Sequence, residues 1–349
     1  MVKKISVLAF GSLALAGCND PAASGGAGGA RQEIRIMGSS TVFPFAKAVA
    51  EAFQKGDSNR KNPIVESTGT GGGIEAFCAG IGSQTPDIAN ASRRIKKSEF
   101  ETCKKNGVTE IVEIQIGIDG IALGESIKGP GFKLTAAEVY KALAANPFGK
   151  PNLTKKWSDV NPALPNIPIA VFGPPKTSGT RDAFAELILE AGCKTDAATK
   201  ALKETNEDKY KAVCHDIRTD GAYKEQGEND NLIVQKLSAN PNMLGVFGYS
   251  YMEENSTTVR GVALENVAPN YGAIATGRYP GARPLFIYVK KQHVDKVPGI
   301  KEYVAEFVSA GTKGSYLTKL GLIAAPDDVR KKAFDAAANM TIIDGADLK

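Results

Sequence analysis

The sequence predicts an α/β protein whose folded body has two lobes. Short extended runs alternate almost throughout the chain with stretches whose apolar residues have helical spacing. The folded body has about 315 residues, which is more than one compact core usually holds. Three short stretches rich in glycine and hydroxyl residues lie where extended runs pass into helices, which is where open α/β sheets bind ligands.

The predicted elements follow one another in a regular order from residue 33 onward. In the first half we expect strands at 33–37, 63–67 and 87–91, a long extended stretch at 111–123, and helices at 44–55 and 134–145. In the second half we expect strands at 167–172 and 285–289, an apolar glycine-rich stretch at 245–251, and helices at 299–310 and about 326–338.

The N-terminal residues have the features of an export signal. Lys3 and Lys4 precede an apolar run over residues 5–16, which is shorter than the roughly 20 residues of a membrane span. No later apolar stretch is long enough to span a bilayer. We therefore expect a signal peptide over residues 1–17 and an extracytoplasmic protein in the periplasm or at the cell surface.

The apolar run ends in LAGC, residues 15–18, which resembles the lipobox of bacterial lipoproteins, where the cysteine is lipidated. We therefore expect a lipid anchor on Cys18. The alternative is an ordinary signal peptide cleaved near Ala22 or Ala23. Small and polar residues without an apolar period follow, and they predict that residues 18–32 comprise the anchor and a flexible tether.

Composition limits the classes of partner. The formal net charge is +5, and the Lys-rich runs at 93–97 and 200–211 lack stacking aromatic residues. A small excess of positive charge is compatible with an anionic ligand and does not indicate a nucleic-acid partner. The two lysine runs are interpreted as solvated faces.

Besides Cys18 the chain has four cysteines, and this even number in an oxidising compartment predicts two disulfides. Sequence alone allows three pairings, and local closure, Cys78 with Cys103 and Cys193 with Cys214, keeps each bond within one lobe. The alternative is buried free thiols. A metal site is not expected, because no cysteines are closely spaced and the chain has only two histidines.

Three stretches repeat one chemistry: GSSTV at 38–42, GTGGG at 69–73 and TSGTR at 177–181. Serine and threonine at a helix start cap backbone N–H groups, and glycine lets a ligand approach the main chain. Any one of these stretches alone is more often an ordinary helix cap or turn. Three such stretches converging would bind a small oxyanion.

In order along the chain, GSSTVFPFAKAVAEAF, STGTGGGIEAF, DIANASRRIKKSE, FGPPKTSGTRDAF and GVFGYSY resemble the PstS family, the phosphate-binding subunits of bacterial high-affinity phosphate ABC transporters. The resemblance spans roughly the whole mature body. It implies a type II periplasmic-binding-protein fold in which two crossover segments, near 115–120 and 282–287, join the lobes. Lobe 1 would then comprise 33–116 and 284–349, and lobe 2 would comprise 117–283.

The resemblance also implies a ligand set for phosphate. The family positions correspond to Thr41 with the main chain of Val42, Thr70, Arg93, and the run Ser178, Gly179 and Thr180, with Ser40, Gly71, Gly72 and Ser92 close enough to join them. Hydroxyl and N–H groups suit phosphate, because each hydrogen bond to a charged group contributes about 1.5–3 kcal/mol.

Two positions depart from the best-known family pattern, which has an aspartate where this chain has Arg93 and an arginine where it has Pro174. Arg93 could supply the charge instead. A buried carboxylate would still be needed to accept the proton that phosphate carries and sulfate lacks. Asp119 is the candidate, and the alternative is that Asp119 caps a turn at the hinge.

The resemblance implies a monomeric binding protein that delivers phosphate to ABC transporter permease subunits, without a cofactor. Binding of another oxyanion, sulfate or molybdate, stays open because the family aspartate is missing. A surface anchor or sensor partner without a transport role also stays open. A phosphate-ester hydrolase is less favoured, because the chain has neither a GxxxxGK[ST] nor a GxSxG motif and Ser178 lacks a neighbouring base in sequence.

Overall fold

The computed structural model describes residues 31–227 and 230–349. The chain divides into two units, Met1–Ala30 and Arg31–Lys349. The predicted signal peptide (1–17), the lipidation site Cys18 and most of the predicted tether lie outside the described residues. Within the described part, no helix combines the length and the apolarity needed to cross a membrane.

The strands build one large mixed sheet and a small separate pair. The large sheet has the order β2-β1-β3-β11-β4-β8-β6-β7, with β9 also paired to β4, and β10 pairs with β5. The strands are β1 Arg35–Gly38, β2 Ile64–Ser67, β3 Ile88–Ala91, β4 Ile111–Ser126, β5 Lys133–Leu134, β6 Val171–Gly173, β7 Tyr223–Glu225, β8 Leu244–Gly248, β9 Val259–Gly261, β10 Ala263–Leu264 and β11 Ala282–Lys290.

Helices alternate with these strands and pack on both faces of the sheet. The helices of the first half are α1 Phe43–Gly56, α2 Gly69–Phe77, α3 Lys97–Lys105, α4 Ala136–Leu143 and α5 Trp157–Val160, with a 3₁₀ turn at Pro147–Gly149. Those of the second half are α6 Gly179–Phe184, a π-helical segment Ala185–Leu189, α7 Glu190–Cys193, α8 Ala197–Thr205, α9 Glu207–Cys214, α10 Asp230–Ala239, α11 Tyr249–Glu254, α12 Tyr271–Ala275, α13 Lys291–Val294, α14 Ile300–Ala310, α15 Tyr316–Lys319 and α16 Asp327–Asn339.

The long strand β4 belongs to both halves of the sheet. Up to Gly120 it pairs antiparallel with β11, and from Ile121 it pairs antiparallel with β8. The strands β1, β2 and β3 are mutually parallel on one side of this change, and β6, β7 and β8 are parallel on the other. The α/β fold class is therefore confirmed, with two groups of parallel strands joined through β4 and β11.

The buried side chains form three clusters, and the boundary between them lies close to the point where β4 changes its partner strand. One cluster takes its members from Ile118 to Tyr279 together with Ile323. The other two take theirs from residues before Ile118 and after Tyr279, and they lie on opposite faces of the first part of the sheet. The exact lobe boundaries, 116/117 and 283/284, stay a prediction.

Local sequence accounts for most element boundaries. The helix α1 extends one residue beyond the predicted 44–55 at each end, and its buried face carries Phe45, Val49 and Phe53 at helical spacing. The strand predicted at 167–172 is observed as Val171–Gly173, because residues 167–169 pair instead with the segment that leads into α5, where the Ile169 N–H donates to the Lys155 carbonyl at 2.8 Å. The apolar stretch at 245–251 divides between β8 and α11.

Both disulfides form with the predicted local pairing. Cys78 pairs with Cys103, which joins the end of α2 to α3. Cys193 pairs with Cys214, which joins the ends of α7 and α9. The alternative of free thiols is therefore wrong for these four residues.

Candidate functional site

A cavity of about 460 Å³ lies between the two groups of strands. One wall is built from the segments that follow β1, β2 and β3, and the opposite wall from the helical residues 186–215. Arg283, near the start of β11, also lines the cavity. The lining residues are Ser39, Ser40, Thr68, residues 69–72, Ser92 and Arg93 on the first wall, and Glu186, Glu190, Lys203, Glu207, Tyr210, Lys211 and His215 on the second.

Two glycines bring the first wall together through backbone contacts. A Cβ atom on Gly73 would lie 2.3 Å from the Cα atom of Gly38, and a Cβ atom on Gly38 would lie 2.1 Å from the carbonyl oxygen of Asn90. Gly38 also has φ +141°, a conformation that suits glycine. These close approaches place α2 directly on the ends of β1 and β3, so that the first and second glycine-rich stretches lie side by side.

The three helix starts in these stretches differ in how their backbone N–H groups are capped. The N-cap of α1 is Val42, which has no side-chain cap and donates its N–H to the Ser39 hydroxyl at 3.3 Å. The N-cap of α2, Thr68, likewise makes no side-chain cap bond. A serine hydroxyl therefore does cap a backbone N–H at the start of α1, although it belongs to Ser39 and not to the N-cap residue. The expectation of side-chain capping is wrong for α2, where the small first-turn residues line the cavity instead. In the third stretch the Ser178 hydroxyl accepts from the Thr180 N–H at 3.2 Å, as expected.

Thr70 and Ser92 meet on the first wall although they are 22 residues apart. Their hydroxyl oxygens lie 3.0 Å apart, and the Ser92 N–H donates to the Thr70 hydroxyl at 3.1 Å. Two of the predicted site residues are therefore adjacent at the cavity surface, together with the first turn of α2. A helix N-terminus and neighbouring hydroxyls form an arrangement that attracts an anion.

Arg93 lines the cavity, but its guanidinium group is paired with a carboxylate. It donates to both Glu99 carboxylate oxygens, at 2.9 and 2.6 Å. Although burial alone would raise the pKa of Glu99, hydrogen bonds from Arg93 and the Lys96 backbone hold that pKa below its usual value. Any role of Arg93 toward an anion requires it to share its charge with Glu99, so the predicted role of Arg93 stays a prediction.

Arg283 is a site residue that the sequence reasoning missed. Its Nη2 donates to the Thr41 hydroxyl at 2.8 Å, its Nε lies 3.4 Å from Asp119 Oδ2, and its Nη1 pairs with Glu186. Its side chain is 11% exposed. It thus connects the first glycine-rich segment, β4 and the helical wall. Its position in the sequence could have indicated it, because Arg283 is a cationic residue inside the predicted crossover 282–287.

Asp119 lies within β4, directly opposite Arg283 of β11 in the antiparallel register. The alternative that it caps a turn is therefore wrong. Burial raises its pKa, the nearby Glu186 carboxylate raises it further, and Arg283 partly opposes this. Among the described residues, Glu186 lines the cavity and Asp119 does not, so Asp119 lies behind Arg283 as seen from the cavity.

The third glycine-rich stretch reaches the first across the cleft. A Cβ atom on Gly179 would lie 3.8 Å from the Ser40 carbonyl oxygen and 3.9 Å from the Thr41 Cα atom. Ser40 also donates its hydroxyl to Asp182, whose pKa is nevertheless raised, chiefly by burial and by Glu186. The predicted site residues from the two halves of the chain therefore meet, while Val42 is buried in the core and Ser178 and Thr180 lie outside the cavity lining.

Comparison with known proteins places this arrangement in a family. A family model described as the PBP superfamily domain matches residues 23–310. Protein SphX of Synechococcus elongatus is 33% identical over 314 residues, which cover 88% of this chain and 80% of that protein. Phosphate-binding protein PstS of Staphylococcus saprophyticus is 28% identical over 329 residues, covering 91% and 89%. The chain belongs to the PstS family of the PBP superfamily.

Solved structures of this superfamily share the fold. The crystal structure of a possible phosphate binding protein from Planctomyces limnophilus superposes with a TM-score of 0.72 at 31% identity, covering 88% of this chain and 99% of that one. An ABC-type phosphate transport receptor from Vibrio cholerae gives a TM-score of 0.56 at 20% identity, covering 83% and 99%. The resemblance seen in the sequence motifs and the two-lobed periplasmic-binding fold that it implied are both confirmed.

Proposed function

We propose that this protein captures inorganic phosphate in the cleft between its lobes and delivers it to the permease of an ABC transporter. The observation that carries the proposal is the convergence of the hydroxyls of Ser40, Thr70 and Ser92 with the Arg283 guanidinium around one cavity. The names of the Staphylococcus and Planctomyces relatives, which refer to phosphate binding, support the choice of ligand.

The proposed ligand set retains the residues named from the sequence and adds one. Arg283 supplies positive charge in a largely buried position, where a charged hydrogen bond is worth about 1.5–3 kcal/mol. The first turn of α2 supplies backbone N–H groups and the positive end of a helix dipole. The residues proposed to contact the anion are Ser40, Thr41, Val42, Thr70, Gly71, Gly72, Ser92, Arg93, Ser178, Gly179, Thr180 and Arg283. Asp119 is proposed to act behind them, through its pairing with Arg283.

The lobes in this proposal are 33–116 with 284–349, and 117–283. The change of partner along β4 and the division of the buried clusters support these boundaries. Closure over the anion would let both lobes contribute donors to one dehydrated site. The proposal also includes export through residues 1–17, lipid anchoring at Cys18, a monomeric state and a binding role without catalysis.

Calorimetric titration tests the proposal. The protein is stripped of bound anion and titrated with phosphate at neutral pH, alone and in excess sulfate. We expect tight phosphate binding that sulfate leaves intact. Absence of phosphate binding would refute the proposal, and equal competition by sulfate would favour the reading that the chain binds another oxyanion.

A matched pair of variants locates the binding. Thr70→Val removes a hydroxyl at the cavity wall, whereas Thr102→Val removes one that bonds to the Ser98 carbonyl on the exposed face of α3. Loss of one hydrogen bond to a charged ligand predicts roughly 10- to 100-fold weaker phosphate binding for the first variant. Phosphate affinity of the Thr102 variant should equal that of the wild type.

A further inference from the structure

The helical wall of the cleft carries three carboxylates at intervals of four residues. The segments α6, Ala185–Leu189 and α7 follow one another without a break, and Asp182, Glu186 and Glu190 occupy one side of the resulting helix. Asp182 accepts from Ser40, Glu186 pairs with Arg283, and Glu190 pairs with His215. Each of these partners lines the cavity, so this acidic face is directed at the cleft of a protein proposed to bind an anion.

We propose that Glu186 is the carboxylate that selects a protonated oxyanion, by accepting a hydrogen bond from the P–OH group of bound phosphate. This inference rests on the proposed function. Glu186 thereby takes the role of distinguishing phosphate from sulfate, for which the sequence had indicated Asp119.

Asp182 and Glu190 already accept hydrogen bonds from protein groups or are little exposed, so Glu186 is the carboxylate that can accept a hydrogen bond from a ligand. Asp182 accepts the Ser40 hydroxyl and does not line the cavity among the described residues. Glu190 lies within reach of the charged groups of Lys194, Lys203 and His215 and is 10% exposed. Glu186 has 44% of its side chain exposed, lines the cavity and touches Arg283. It is thus the accessible carboxylate beside the cation that the anion would approach.

Because Glu186 pairs with Arg283, it can determine which anions bind at that cation. The Arg283 guanidinium already donates a hydrogen bond to the Glu186 carboxylate. An anion that accepts a hydrogen bond from the same guanidinium must therefore lie next to that carboxylate. Two oxyanions side by side repel strongly unless a proton lies between them. Orthophosphate carries a proton at neutral pH and donates it to the carboxylate, whereas sulfate carries none. Glu186 would therefore admit phosphate and reject sulfate.

The test compares affinities for phosphate and sulfate in three variants by calorimetry. Glu186→Gln replaces the carboxylate with an amide that can donate a hydrogen bond to sulfate. Asp119→Asn changes the carboxylate behind Arg283, and Glu207→Gln changes another carboxylate of the cavity wall, paired there with Lys211. We expect the phosphate-to-sulfate affinity ratio to fall about 100-fold in Glu186→Gln. The ratio should stay within about threefold of wild type in the other two variants.

A further variant separates chemistry from folding. Glu186→Asp keeps a carboxylate and should retain most of the discrimination even where absolute affinity drops, and melting temperatures of all four variants establish that they are folded. A wild-type ratio in folded Glu186→Gln, or collapse of the ratio in Asp119→Asn, would overturn the inference while leaving the proposed function intact. Failure of the wild-type protein to bind phosphate would instead overturn the proposed function itself.

Discussion

Replacing Arg283 by alanine removes the cation that links three parts of the cleft. Its guanidinium reaches Thr41 at 2.8 Å, Asp119 at 3.4 Å and the Glu186 carboxylate. Two of its N–H groups could turn to a bound phosphate, and each charged hydrogen bond is worth about 1.5–3 kcal/mol. Their loss removes about 3–6 kcal/mol, which corresponds to phosphate binding that is roughly 10²- to 10⁴-fold weaker.

The same substitution leaves Asp119 without its cationic partner. The Asp119 side chain is 14% exposed, and burial already raises its pKa, so a protonated form can relieve part of the loss. We expect the free energy of unfolding to drop by about 1–3 kcal/mol. The double variant Arg283→Ala with Asp119→Asn should recover much of that stability and none of the phosphate affinity, because the neutral amide needs no cation.

Calorimetry with phosphate and thermal unfolding without it measure the two effects separately. Arg278→Ala is the matched control, since the Arg278 side chain is exposed and donates to the neighbouring Thr276 hydroxyl. It should leave both quantities unchanged. Phosphate binding by Arg283→Ala within about threefold of wild type would refute the assignment of Arg283 to the anion site.

Two further predictions concern stability. Gly73→Ala places a Cβ atom 2.3 Å from the backbone of Gly38 and should cost about 1–3 kcal/mol, whereas Gly71→Ala meets nothing within 4 Å and should be neutral or slightly stabilising. Equal melting temperatures of these two variants would contradict the close packing of α2 on β1. Burial alone would raise the pKa of Glu190, but hydrogen bonds from His215, Lys194 and Lys203 hold it well below its ordinary value of 4.5. The stabilisation is therefore present above that value and lost as the pH falls below it, so stability should fall less steeply in acid for Glu190→Gln than for wild type. Parallel unfolding curves against pH would show that Glu190 contributes nothing.

Several features of the site followed from local sequence. The helical spacing of Phe45, Val49 and Phe53 placed α1 to within one residue at each end. Strand ends followed by glycine and hydroxyl residues indicated where the ligand segments lie, because parallel strands end at the same edge of a sheet. Thr70 and Ser92 were both predicted as site residues from the sequence, and their hydroxyl groups lie in hydrogen-bond contact.

Other features depended on pairings across long sequence distances. Arg283 and Asp119 are opposite one another only because β11 returns antiparallel to β4 after 164 residues. Arg93 was predicted to supply the positive charge, but local sequence does not show that both oxygens of the Glu99 carboxylate accept hydrogen bonds from its guanidinium group. Side-chain capping at the second stretch was expected from residue type, yet no such cap forms there, and the close packing of Gly73 on Gly38 decides how α2 is placed.

By itself, then, the sequence determined the α/β class, the family and the segments that form the first wall of the cleft, and it favoured the local disulfide pairing among three. These depend on periodicity, residue type and short-range spacing, which are properties of neighbouring residues. The tertiary structure alone decided which charges meet in the cleft: Arg283 with Thr41 and Glu186 from the opposite wall, and Asp119 behind it. Electrostatic partners are determined by distance in space, and for these residues, which are 97 or more positions apart, that distance is set by strand register and helix packing.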